Sequence, residues 1–89
     1  MTVRRHYFIS GFVQGVGFRY RAYHAARGLG LTGFVKNLYD GRVEMEIQGD
    51  QELIPRMIAE ITSGHFIYIE DMDVSQIPIL DDECEFVVS

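Results

Sequence analysis

In Arg42-Val43-Glu44-Met45-Glu46-Ile47-Gln48, residues 42–48, polar and apolar side chains alternate without a break. A strand turns successive side chains to opposite faces, so Val43, Met45 and Ile47 share one face and Glu44, Glu46 and Gln48 the other. One apolar and one polar face is the pattern of an antiparallel sheet covered on a single side. The flanking sequence has to supply the cover.

Toward the amino terminus, Tyr39-Asp40-Gly41 reads as a turn, and Leu31 to Asn37 as the strand that pairs through it. Before that strand the apolar period is helical. Phe18, Ala22, Ala25, Ala26 and Leu29 make one stripe, with Gly28 and Gly30 ending the helix. Residues 3–13, rich in Tyr7, Phe8, Ile9, Phe12 and Val13, read as the first strand. Toward the carboxyl terminus, Gly49-Asp50 ends the central strand. Asp50 is placed to cap a helix over 51–62, in which Leu53, Ile54, Met57, Ile58 and Ile61 form the stripe and Pro55 blurs the start. Ser63-Gly64 closes it. A strand over 66–75, a loop over 76–82 and a short strand over 83–88 complete the chain. The order is β-α-β-β-α-β plus one short strand. Two helices on one face of an antiparallel sheet give the α+β sandwich called ferredoxin-like, and 89 residues suit one domain, 1–89. That fold serves many unrelated functions, so it does not choose an activity.

The formal net charge of -5 argues against nucleic acid, which is bound through many Lys and Arg contacts. Seven of the eight basic residues, Arg4, Arg5, Arg19, Arg21, Arg27, Lys36 and Arg42, precede residue 43, so an anion site belongs to the amino-terminal half. Met1 to His6 runs straight into a mixed segment and no apolar run nears the ~18 residues of a membrane span, so neither a leader nor a membrane association is expected. Cys84 is the single cysteine, which suits the reducing cytoplasm; it reads as a buried member of the last strand. His6, His24 and His65 lack the spacing of metal ligands, and Glu44, Glu46, Asp71 and Asp73 read as a solvated strand face.

Gly11-Phe12-Val13-Gln14-Gly15-Val16-Gly17-Phe18-Arg19 joins the first strand to the first helix. Gln14, Gly15, Val16, Gly17 and Phe18 bring consecutive N–H groups to a helix start, where four donors lack intrahelical acceptors. Such a loop can gather around an anion, and Arg19 adds a planar cationic fork. The same glycines would also serve a plain strand-to-helix turn. The loop is not a Walker A sequence, since no Lys-Ser or Lys-Thr follows. Gly28-Leu29-Gly30-Leu31-Thr32-Gly33 spells G-x-G-x-x-G but follows a helix and enters a strand, the reverse of a dinucleotide site. Asn37, at the end of the second strand, is either a turn asparagine or an amide able to hold a water by donor and acceptor together.

Taken together, GFVQGVGFR (11–19) and GFVKNLYDGRVE (33–44) resemble the two signature blocks of the acylphosphatases, and the similarity runs nearly end to end. That resemblance implies hydrolysis of the carboxyl-phosphate bond of an acyl phosphate, releasing inorganic phosphate, without metal or organic cofactor. It implies that the backbone of Gln14, Gly15, Val16, Gly17 and Phe18 cradles the phosphate, that Arg19 binds its oxygens, and that Asn37 orients the attacking water. The expected protein is a cytoplasmic monomer acting on a small molecule; the alternative is a phosphate-binding or regulatory module with little turnover. Three departures bear on substrate and rate. Phe34 stands where the family usually has tryptophan, Ser63-Gly64-His65-Phe66 where a Gly-Pro pair is common, and Phe12 at an often polar position, making the cradle's rim more apolar.

Overall fold

A computed structural model describes residues 1–89. The elements are β1 (Thr2–Phe12), α1 (Phe18–Leu29), β2 (Thr32–Asn37), β3 (Val43–Asp50), α2 (Ile54–Thr62), β4 (Tyr68–Ile77) and β5 (Phe86–Val88). They form one five-stranded sheet in the order β4-β1-β3-β2-β5. The strand over 42–48 is the spine: β3 pairs antiparallel with β1 on one side (Ile9↔Val43, Tyr7↔Met45, Arg5↔Ile47) and with β2 on the other (Asn37↔Val43, Val35↔Met45). Val43, Met45 and Ile47 are fully buried, and Tyr7, Ile9 and Val35 share their face.

The two helices cover that face. α1 buries Phe18, Ala22, Ala25 and Ala26, and α2 buries Ile54, Met57 and Ile61. Burying a side chain such as Phe18 or Met57 contributes about 1.5–3 kcal/mol each. α1 ends at Gly30, whose left-handed backbone turns its N–H back to the carbonyls of Ala26 and Arg27. Gly33 answers a second part of G-x-G-x-x-G: a Cβ there would sit 1.9 Å from the Glu46 carbonyl oxygen, so the β2–β3 crossing needs a glycine.

Several boundaries differ from the sequence reading. Asp50 does not cap α2. Its carboxylate accepts from the Glu52 N–H at 3.0 Å and closes a turn over 51–53, and α2 starts at Ile54. Pro55 lies in the first helical turn, where its missing N–H would have no acceptor anyway. β3 runs on through Gly49 to Asp50, and β4 lies two residues further along than expected. β5 is parallel to β2, so the sheet is mixed rather than purely antiparallel. A chain leaving edge strand β4 must cross to the opposite edge to reach β2. Residues 78–85 make that crossing over the helix-free face, where Gln48 exchanges two hydrogen bonds with Leu80 (2.9 Å each) and Arg4 binds Glu83. Cys84 lies in this crossing and is exposed, contrary to its reading as a buried strand residue.

Candidate functional site

β1 delivers the chain at Phe12, and Val13 plugs into the core. The next residues swing into the helix through two left-handed glycines, Gly15 (φ +72°) and Gly17 (φ +84°), the latter the N-cap of α1. A Cβ on either would meet no atom within 4 Å, so backbone conformation rather than space calls for glycine there. No side chain caps this helix, and its first turn holds no acidic residue. The N–H groups of Gln14, Gly15, Val16 and Gly17 donate to no backbone acceptor. The helix dipole adds positive potential at the same point.

Gln14 does something the sequence did not announce. Its side-chain amide donates to the carbonyls of Leu38 (2.7 Å) and Arg42 (2.9 Å), the two ends of the β2–β3 turn. That clamp fastens the glycine loop to the hairpin carrying Asn37. In consequence Gly15, Gly17, Phe18 and Arg19 line one small depression, of about 160 Å³, with Val13, Tyr20 and Asn37. Its size is well below the several hundred Å³ of a drug-sized site and suits a small anion. Asn37 Oδ1 is buried there without a hydrogen-bond partner. Leaving such an oxygen unsatisfied costs about 1–3 kcal/mol, which is reason to look for a role.

Arg19 and Arg21 separate clearly. Arg21 ties α1 to the end of α2, donating to the Glu60 carbonyl (2.8 Å) and Ser63 Oγ (2.7 Å). Arg19 is partly buried and donates only to the main-chain oxygen of Ser89, at 2.9 Å, with no Asp or Glu side chain paired to it. Nearby Arg42 is already neutralised by Asp40 at 2.8 Å. The Arg42 backbone N–H and then its guanidinium hold the Asp40 carboxyl below the usual carboxylate range. Phe12, expected on the cradle's rim, pairs with Tyr68 at the β1–β4 edge and does not line the depression.

The polar sheet face is less solvated than expected. His6 Nε2 lies 2.7 Å from Glu44 Oε2, and Lys36 Nζ lies 3.4 Å from Glu44 Oε1. The hydrogen bond to His6 is the main reason that the Glu44 carboxyl lies below its ordinary value. His6, Glu44 and Glu46 bring possible ligand atoms within 4.8 Å of one another. Lys36 and Arg4 already balance the two carboxylates, so the cluster is a closed ion-pair network. Facing residues on paired strands, not spacing along the chain, bring it together. Asp71 and Asp73 stay exposed.

A sequence model described as Acylphosphatase matches residues 5–88. An acylphosphatase of Clostridium beijerinckii is 40% identical over 87 residues, 97% of each chain. The crystal structure of acylphosphatase from Bacillus subtilis superposes with a TM-score of 0.88 at 31% identity, covering 100% of this chain and 99% of that one. Full-length HypF, in a phosphate- and nucleotide-bound form, is similar at TM-score 0.84 and 25% identity, over only 12% of its own length.

Proposed function

This chain belongs to the acylphosphatase family and is a hydrolase of acyl phosphates; on that premise we propose that the glycine loop and Arg19 hold the phosphoryl group while Asn37 orients the water. The observation that carries this reading is the buried, unpartnered Asn37 Oδ1 in the same depression as Gly15, Gly17 and Arg19. An oxygen acceptor is what a water needs in order to point its lone pair at phosphorus.

The steps follow from the chemistry of a mixed anhydride. The N–H groups from Gln14 to Phe18 donate to the non-bridging oxygens, and the Arg19 guanidinium neutralises the charge that gathers on them. Water accepted by Asn37 attacks phosphorus, the bond from phosphorus to the acyl oxygen breaks, and the carboxylate leaves with the electron pair. The water's proton passes to a phosphate oxygen. Because carboxylate is a weakly basic leaving group, the reaction asks chiefly for positioning and charge stabilisation, which fixed donors supply. Net charge -5 and an acidic carboxyl-terminal half support a small-molecule substrate over nucleic acid.

Likeness to one segment of HypF favours a second reading, a phosphate-binding module with slow turnover. Hydrolysis of benzoyl phosphate by wild type, Arg19→Ala and Asn37→Ala, with inorganic phosphate as competitive inhibitor, decides between them. Fast wild-type turnover that collapses in both variants supports the catalytic assignment. Tight phosphate binding with negligible turnover supports the module. Equal turnover in wild type and R19A refutes the role of Arg19.

A further inference from the structure

We infer that a shallow apolar depression beside the cradle, walled by Tyr20, Tyr23 and Val88, receives the acyl group and selects acyl phosphates with an uncharged aryl or aliphatic chain. This rests on the phosphate reading of the cradle given above. Arg19 and Tyr20 line both depressions, and the second measures about 430 Å³. Only one bridging oxygen separates the acyl carbon from phosphorus, so a phosphate held in the cradle carries its acyl group across the rim the two share.

Tyr20 is 70% exposed, a large ring that core burial does not explain. Its neighbours fix it nonetheless. The Tyr20 ring packs on His24, one helical turn on, at 4.3 Å between centroids, and Tyr23 meets the same His24 edge-on at 5.3 Å. Arg27 donates to the Tyr23 hydroxyl at 2.6 Å, one turn further. Aromatic surface held in advance loses little freedom when it packs against a ligand. Charge completes the selection. Arg19 is the one charged residue that lines either depression, and it is engaged by the phosphate. A second anionic group on the substrate finds no further cation among the residues lining the two.

The test compares kcat/KM for benzoyl, acetyl and succinyl phosphate in wild type, Tyr20→Ala and Tyr20→Phe, with folding checked by circular dichroism. Calorimetric binding of two non-hydrolysable analogues, phenacylphosphonate and acetonylphosphonate, runs in parallel. Wild type prefers benzoyl over both acetyl and succinyl phosphate. Y20A lowers the benzoyl-to-acetyl ratio at least about fivefold, on the scale of one aromatic contact, and Y20F keeps it. The phosphonates follow the same order. An unchanged ratio in Y20A, or a wild-type preference for succinyl phosphate, overturns the inference. If no acyl phosphate is hydrolysed but phenacylphosphonate still binds through Tyr20, the subsite stands and the catalytic assignment fails. If neither phosphonate nor inorganic phosphate binds, both fail.

Discussion

Arg4 stands near the start of β1 and Arg19 in the first turn of α1, past the loop that follows β1, and the protein treats the same side chain in opposite ways. Arg4 is 2% exposed. Its guanidinium meets Glu46 at 2.8 Å, Glu83 at 2.7 Å and Gln48 at 3.1 Å. Burial alone would weaken its hold on the proton, but Glu83 and Glu46 outweigh burial and strengthen it. Arg19, by contrast, is only partly buried and donates to one main-chain oxygen, beside N–H groups that donate to no backbone acceptor. One end has its charge closed inside the fold and fastens residues 78–85 to the sheet. At the other, the N–H groups and Arg19 face no acidic side chain. Complete compensation serves stability; the incomplete compensation beside the Gln14 clamp is what the proposed phosphate binding would use.

That contrast can be broken first at Arg19. Arg19→Ala is expected to lower kcat/KM for an acyl phosphate about 1000-fold, some 4 kcal/mol of transition-state stabilisation, while the unfolding midpoint barely moves. Steady-state kinetics and a urea melt on the same preparation check both halves. Arg4→Ala should do the reverse. It strands Glu46 and Glu83 under the crossing segment, which corresponds to about 3 kcal/mol lost in urea unfolding, with kcat of the folded enzyme preserved. Should R4A abolish turnover without loss of stability, the division between the two ends is wrong.

Asn37→Ala sharpens the distinction within the site itself. If Asn37 holds the water and not the phosphate, kcat falls about 100-fold while inhibition by inorganic phosphate changes less than about threefold. A parallel loss of phosphate affinity would move Asn37 from the water to the cradle.

The smallest effect is the pH dependence of the closed end. Burial pushes Glu83 up, but the Arg4 hydrogen bond, with Thr32 and the Arg4 charge, holds its carboxyl below the ordinary value of 4.5. A carboxyl with a depressed folded-state pKa contributes stability above its unfolded value and loses it as pH falls through the folded one. Urea melts from pH 7 down should therefore show a decline that begins near pH 4.5 and continues below it. Glu83→Gln, less stable at pH 7, should show a shallower decline. Identical slopes would remove Glu83 from the account.

What could be read from the chain divides along physical lines. Val43-Glu44-Met45-Glu46-Ile47 and the Phe18–Leu29 stripe carry their structure locally, because period and burial coincide there. The glycine loop and Asn37 were legible as types, since positive φ and helix-start donors follow from glycine position and helix geometry. The family resemblance implies that they share a site, but periodicity and spacing do not fix their distance, since the loop is fastened to the hairpin by Gln14 reaching two carbonyls across the β2–β3 turn. The parallel β5, the exposed Cys84 and the Arg4–Glu83 contact share one cause. Each depends on the route of residues 78–85, a tertiary choice with no periodicity to announce it. Asp50 was a reasonable cap, but it satisfies a nearer turn instead.

Amide chemical shifts during a titration with inorganic phosphate test the central claim most directly. The account predicts saturable shifts that are largest for the N–H groups of Gln14 to Phe18 and the Arg19 guanidinium, with the surroundings of Arg4 silent. Shifts centred elsewhere, or none at millimolar phosphate, would contradict it.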